Sequence, residues 1–253
     1  MASMDFITLE YKEYSNYGIL TLDHPEHLNA MSPCMISEIH DFFSLPPSEN
    51  IRFILIVGRG KCFSTGGDLE SMNSMRENEA SIVSQNSHDA FRLIRQYPIP
   101  VVAVVHGFAV GGGFEIALAC DMIYCTPDVY FLLPELNFNM IPGGGGCVRL
   151  VQKIGYQQAF SHIFSRQKIE ADRAYSMGIV QRIIQSSDYI SEAVELLTKF
   201  TDSTEKEAIS ILKSTLNLVE DYNDLAYRIE SKNFSYLLSK YAKQKIEHFL
   251  NKK

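Results

Sequence analysis

A continuously apolar run, Val101–Val105, leads through His106–Val110 to three consecutive glycines, Gly111–Gly113, and then into Phe114–Cys120, whose composition is that of a buried helix. The glycines let the backbone turn sharply. A turn of this kind leaves unpaired amide N–H groups at the helix start, and those groups, with the positive end of the helix dipole, suit a developing oxyanion. Glu115 enters one turn after Gly112, which puts a carboxylate on the side of that amide. Two readings stand at this point. Either the stretch is a reactive centre, or its glycines only allow tight helix–strand packing while Glu115 caps the helix. A dinucleotide-binding loop fits less well, because the full glycine fingerprint and an acid closing a second strand are both missing.

A chain of 253 residues, 46% of them hydrophobic, buries a substantial core and suits one large domain, or one domain with a short appendage. A net charge of −7 with no run of Lys or Arg in the body argues against a nucleic-acid surface, though not against a local basic pocket for phosphates. The nearest basic cluster is the tail, Lys240–Lys253. Cys34, Cys62, Cys120, Cys125 and Cys147 form no CxxC or zinc-like pair, so no metal site is expected; their apolar neighbours point to reduced, buried thiols. Cys147, beside a second glycine run, is a weak nucleophile candidate. The first residues carry neither a basic n-region nor an apolar h-region, so no secretory signal is expected and the expected location is cytoplasmic. No apolar stretch approaches the roughly 20 residues of a membrane span.

Along the chain, Phe6–Tyr11 and Ile19–Leu22 read as strands joined near Asn16–Gly18. Ser32–Pro33 is a good start for a helix over Cys34–Phe43. Phe53–Val57, FILIV, fits a strand buried on both faces of a largely parallel sheet. Gly66–Gly67–Asp68 then repeats the opening theme, a strand end, a glycine loop and an acid, though taken alone these residues favour an ordinary turn with Asp68 as an N-cap. Asn73–Ser87 is polar and reads as a loop or an exposed helix, with Ala90–Gln96 completing a helix before Pro98 and Pro100. Asp121–Cys125 and Val129–Leu133 read as short strands. Glu135 follows Pro134, and Gly143–Gly146 open another helix against which something packs closely, or else form a flexible loop. Helical patterning continues over Val148–Ile154, Gln158–Phe164 and Ile169–Met177, with a strand at Val180–Ile184. Helices over Ile190–Phe200, Lys206–Leu218 and Leu225–Leu250 close the chain, with no Pro or Gly after Gly178. Residues 1–200 therefore read as an α/β core and 201–253 as a helical layer covering it or a neighbouring subunit.

Taken together, LDHPEHLNAMS, CFSTGGDL, VVAVVHGFAVGGGFEIALACDMIYC, PELNFNMIPGGGGCVRLVQKIG and ADRAYSMGIVQRII resemble the crotonase superfamily, the enoyl-CoA hydratase/isomerase family, in its usual order and spacing. The resemblance runs through roughly Leu218. It implies a spiral of ββα units, two roughly perpendicular sheets with outer helices, a C-terminal helical region that builds trimers, and homotrimers or hexamers.

The resemblance also implies roles, residue by residue. Gly67 and Gly112 match the positions whose N–H groups polarise the thioester carbonyl. Glu115 and Glu135 match the two acids that hold water against the double bond, and Gly143 the glycine that helps place that water. Substrate contacts are implied for His27, Asn29, Ala30, Ser64, Thr65, Gly66, Asp68, Leu69, Gly111 and Pro134. No prosthetic group is implied; coenzyme A enters as the carrier of the substrate. Two amides stabilise the enolate oxyanion without reorganising, and two carboxylates in different protonation states supply base and acid. Glu135 is expected to give the proton to Cα and Glu115 to activate water. Two departures stand out: His27 replaces the usual Lys or Arg near the CoA phosphates, and Asn139 replaces a usual Gly. Phe249 with the lysines after it lies roughly where relatives place residues that reach CoA. The expected reaction is hydration of a 2-enoyl-CoA, or its reverse. The alternatives are Δ3,Δ2 isomerisation, decarboxylation or dehydration of a CoA- or carrier-protein-bound acyl group in secondary metabolism, and a non-catalytic acyl-CoA-binding subunit.

Overall fold

A computed structural model describes residues 6–221 and 224–252. In chain order the described strands are β1 (Leu9–Glu13), β2 (Tyr17–Leu22), β3 (Phe53–Gly58), β4 (Val101–Val105), β5 (Phe108–Val110), β6 (Met122–Cys125), β7 (Tyr130–Leu132), β8 (Ile169–Glu170) and β9 (Arg182–Ile183). Two sheets form from them. The larger has the order β1-β2-β3-β4-β6-β9, with β1 and β2 antiparallel and every other neighbour parallel. The smaller runs β5-β7-β8, and the isolated bridge between Ser64 and Ala109 ties its first strand to the loop after β3.

The apolar runs explain this layering. Alternate residues of a strand point to opposite faces, and β3 is buried at every position. Ile54 and Ile56, with Val101, Ala103 and Val105, pack into the main core against Ile39 and Phe42 of α1 (Pro33–Ser44). Phe53, Leu55 and Val57, with Val102 and Val104, pack on the opposite face against the later helix Tyr189–Asp202. Ser32 caps α1 by accepting from the Met35 N–H, with Pro33 in the first turn, as its sequence predicts.

Next come α2 (Leu69–Ser74) and α3 (Glu77–Gln96), a helix of 20 residues. The polar stretch 73–87 is thus largely helical, and far from wholly exposed. Small residues make this possible: Ala80, Ser84 and Ser87, with His88, form the buried stripe. After β5 come α4 (Gly112–Ala119), α5 (Gly146–Ile154), α6 (Tyr156–Ser165) and α7 (Ala171–Ser176). Residues 169–177, read as helix, begin as β8, because Ile169 pairs with Phe131 before the helix starts. The strand expected at 180–184 is confined to β9, and β1 begins later than Phe6.

The last helices are α8 (Tyr189–Asp202), α9 (Lys206–Asp221), α10 (Asp224–Leu237) and α11 (Lys243–Leu250). A π-helical turn, Leu238–Ala242, joins α10 to α11. The sequence boundary at residue 200 falls inside α8. Lys213 of α9 is buried and donates to the carbonyls of Ile94 (3.3 Å) and Ile99 (3.0 Å), with Asp121 Oδ2 at 2.7 Å. Burial pushes the Lys213 ammonium below its usual range, and the Asp121 carboxylate opposes that shift. Phe234, Leu238, Ala242 and Ile246 form a stripe that packs with Met75, Ala80 and Met140. No described helix is long and apolar enough to cross a membrane.

Candidate active site

Gly66 and Gly67 follow β3, and a bridge to Met31 fixes their orientation. The Met31 N–H donates to Gly66 O (2.7 Å) and the Asp68 N–H to Met31 O (3.3 Å). Backbone groups alternate along an extended chain, so the Gly67 N–H points away from Met31. The second amide comes from the end of β5. Gly111 has φ 51° and ψ −125°, a conformation side chains rarely adopt, and this turns the chain into α4. Gly112 is the first residue of that helix, where N–H groups lack an intrahelical acceptor. A Cβ at Gly112 would lie 3.6 Å from the Gly67 nitrogen, so the two amides stand side by side. Both glycines line a cavity of about 520 Å³.

Glu115 lies on α4 and is 5% exposed. It is a helix cap, but of a different helix. Its Oε1 accepts from the N–H groups of Gly144 and Gly146, both at 2.8 Å, at the start of α5. Burial raises its pKa; the two amides and the Arg149 charge pull it back towards the ionised form. Glu135 opens the single 3-10 turn Glu135–Phe138 after β7. Its Oε1 lies 3.1 Å from where a Gly111 Cβ would be, and its enclosed Oε2 has no partner among the described residues. Burial pushes Glu135 well above the usual carboxylate range, and the charges of Glu115 and Glu230 push it further. The two amides thus favour the ionised form at Glu115, while the enclosed oxygen of Glu135 has no donor among the described residues to oppose its proton.

Most residues named from the sequence meet at this cavity. His27, Ala30, Thr65, Asp68, Leu69, Gly111, Pro134 and Gly143 line it with the two amides and both glutamates. Asn29, Ser64 and Gly66 are not among the residues that line it. The buried Asn29 amide donates to the carbonyls of Arg59, Cys62 and Phe63 and accepts from the His24 N–H. Ser64 donates to Asn29 O and accepts from the Gly66 N–H. These groups build the loop that presents Gly67. Asp68 caps α2 by accepting from the Glu70 N–H, yet still faces the cavity. Gly143 offers its carbonyl to the Ser84 hydroxyl (2.5 Å), while the amides on Glu115 belong to its neighbours Gly144 and Gly146.

All five cysteines are free, but Cys34 is exposed, contrary to the expectation of buried thiols. Burial, and then the neighbouring carboxylates, push the Cys147 thiol far up, which disfavours the thiolate a nucleophile needs. Asn139 takes the left-handed conformation that its side chain tolerates (φ 59°), so the loop keeps its turn without glycine. Phe249 lines the cavity and packs edge-on against Phe138.

Among the groups near the site that escaped the sequence reading are Phe234 and Glu230, both on α10. Phe234 lines the cavity with its ring against Gly143. Glu230 accepts from the N–H groups of Gly145 (2.6 Å) and Cys147 (2.9 Å). The sequence carries one signal for both. Residues 230, 234, 238, 242 and 246 recur every four positions, and an acid begins an otherwise apolar stripe.

The sequence model described as "Enoyl-CoA hydratase/isomerase" matches residues 12–253. The chain belongs to this family, within the crotonase superfamily. A probable enoyl-CoA hydratase of Bacillus subtilis is 30% identical over 255 residues, 99% of this chain and 97% of that protein. A mitochondrial Delta(3,5)-Delta(2,4)-dienoyl-CoA isomerase of Mus musculus is 30% identical over 211 residues, 78% of this chain and 64% of that protein. The crystal structure of enoyl-CoA hydratase from Bacillus halodurans superposes with a TM-score of 0.89 at 21% identity, covering 96% of this chain and all of that one, which shows the crotonase fold.

Proposed function

We propose that this family member adds water across, or removes it from, the double bond of a 2-enoyl-CoA. The thioester oxygen rests on the N–H groups of Gly67 and Gly112, and water is held at Glu115. The anionic Glu115 takes a proton as the water oxygen bonds to Cβ. The double-bond electrons then move into an enolate, whose oxygen the two amides stabilise. Glu135 delivers its proton to Cα as the enolate collapses. The product carries OH on Cβ and H on Cα, and a proton passes from Glu115 back to Glu135 before the next turnover. The observation that carries this reading is the contrast between the two carboxylates. Beside the same amides, one is held by two N–H donors and the other has an unpartnered, enclosed oxygen.

Loss of the conjugated thioester absorbance of crotonyl-CoA tests the reading. Turnover that falls by about 10²–10⁴ in each of Glu115→Gln and Glu135→Gln is expected. No turnover by the wild type, or full activity in Glu135→Gln, refutes it. The unpartnered Glu135 oxygen also favours a second reading, a double-bond isomerase that moves one proton with one acid; Glu115→Gln would then keep full activity, and the product mass would equal that of the substrate. Rates on one acyl group attached to CoA and to a carrier protein separate the two carriers.

We further infer that copies of the chain associate as trimers or hexamers. Supporting this, α9 exposes Ile211, Leu212, Leu216 and Leu218, each close to 60%. Light scattering that gives a monomer refutes it.

A further inference from the structure

The start of α5 is held by two carboxylates in alternation. Glu115, from α4, accepts the N–H groups of Gly144 and Gly146, while Glu230, from α10, accepts those of Gly145 and Cys147. Four successive backbone donors are thus divided between a glutamate of the core and one of the C-terminal layer. Arg149 locks the same turn, its Nη1 donating to Gly144 O at 2.7 Å beneath the Tyr227 ring. Because the donors interleave, the position of Glu115 depends on Glu230. Without Glu230, two amides of a buried turn lose their acceptor and the turn moves to find another, taking the Gly144 and Gly146 donors with it.

We propose that Glu230 is a positioning residue for the glutamate pair, fixing the amide turn that orients Glu115 and adding a third carboxyl whose ionisation acts on the proton of Glu135. This rests on the two-glutamate reading given above. The groups that face Glu230 are His88 of α3, Glu115 of α4, Cys147 and Arg149 of α5, and Glu135. His88 Nε2 is 3.7 Å from Glu230 Oε1, but this is no ion pair: burial, with the charges of Arg149 and Arg92, holds the imidazole neutral down to about 3. Burial, and then the Glu115 charge, push Glu230 up to about 8 against the pull of its amides and Arg149. Glu230 therefore gives up its proton at higher pH than an ordinary carboxylate, and once ionised it sets a further negative charge against Glu135 and holds that proton more tightly.

The test is the pH profile of kcat/KM for Glu230→Gln and Glu230→Asp, with crotonyl-CoA as substrate. Glu230→Gln lowers kcat by about 10–100-fold with little change in KM, as expected for a misplaced group. It also moves the alkaline limb to lower pH, because the charge that holds the Glu135 proton is gone. Glu230→Asp keeps a carboxyl there and restores the position of that limb. A lower amplitude with an unmoved limb in Glu230→Gln, the mark of a merely structural role, overturns the proposal. An infrared titration that needs no turnover supplies the second measurement. In Glu135→Gln, a protonated carboxyl band that is lost on the alkaline side of neutrality, and is missing from Glu135→Gln/Glu230→Gln, supports the proposal, and the lack of such a band overturns it. A wild type inactive on every enoyl thioester refutes the hydratase reading, and the infrared result still decides the state of Glu230.

Discussion

Replacing Gly112 by alanine separates activity from stability. The added Cβ meets nothing closer than 3.6 Å, namely the Gly67 nitrogen and Met31 Cγ, and Gly112 has no positive φ. The fold therefore accepts the methyl group, and at the first position of a helix the change is expected to leave stability close to that of the wild type. The same methyl stands between the two amides, where a thioester oxygen must lie about 2.7–3.1 Å from each nitrogen. Losing one such donor costs about 10²–10³ in rate, or roughly 2.7–4 kcal/mol. Steady-state kinetics on crotonyl-CoA should show kcat/KM lowered at least about 10²-fold. Thermal unfolding should show a Tm that is unchanged or slightly raised. The neighbouring glycine is the control. A Cβ at Gly113 would lie 2.6 Å from Ser64 Cβ and 2.7 Å from Ser64 O. Overpacking of that kind costs about 1–3 kcal/mol, and each kcal/mol lowers Tm by about 2–4 °C in a chain of this size. Activity within about threefold of wild type in a folded Gly112→Ala protein, well below the effect of a lost donor, would refute the assignment of this amide.

Other perturbations read other parts of the structure. The folded-state pKa of Glu135 is raised, so its contribution to stability is fully present below the ordinary carboxylate range and is lost as pH rises through the folded value; the Tm of Glu135→Gln relative to wild type should therefore increase from pH ~6 to pH ~9, and a constant difference would contradict the shift. Lys213→Met leaves Asp121 without its buried cation and should cost about 3–5 kcal/mol in denaturant unfolding, with Asp121→Asn adding less than its separate cost in the double variant. Phe234→Leu shortens the side chain against Gly143 and should raise kcat/KM for longer acyl chains relative to crotonyl-CoA by about 10-fold or more; an unchanged chain-length profile would remove Phe234 from the acyl wall.

Where the sequence was legible, local physics decided the outcome. Runs such as FILIV specify strands buried on both faces, and each face of β3 does meet its own helix. Ser32–Pro33 and Asn139 act through their own backbone preferences. At Glu115 the expected cap of its own helix is not found: the acid lines the cavity and caps α5 instead, a partner that lay beyond local reach. Asn29 shows the converse: a motif residue whose amide is spent on three carbonyls at separations of 30 to 34 residues. Glu230 lies 85 residues from Gly145, and no propensity or spacing rule links an acid in a late amphipathic helix to a glycine turn that far upstream. The helical nature of the first part of α3 was obscured because its buried stripe as far as His88 is built from Ala, Ser and His, and large apolar residues enter it only at Phe91 and Ile94.

The contact between Lys213 and Asp121 bears on how far this protein can be trimmed. Asp121 Oδ2 also accepts from the Val101 N–H at 2.7 Å, at the start of β4, so one ammonium on α9 completes a join between the end of α3, the entry to β4 and the residue before β6. A shortened gene ending near residue 200 would encode every amide and both glutamates of the candidate site. It would also encode a sheet whose join has lost its cation and a glycine turn with two amides bare. Such a fragment is no minimal catalyst, and transplanting the site to another scaffold means carrying the last helices along with it.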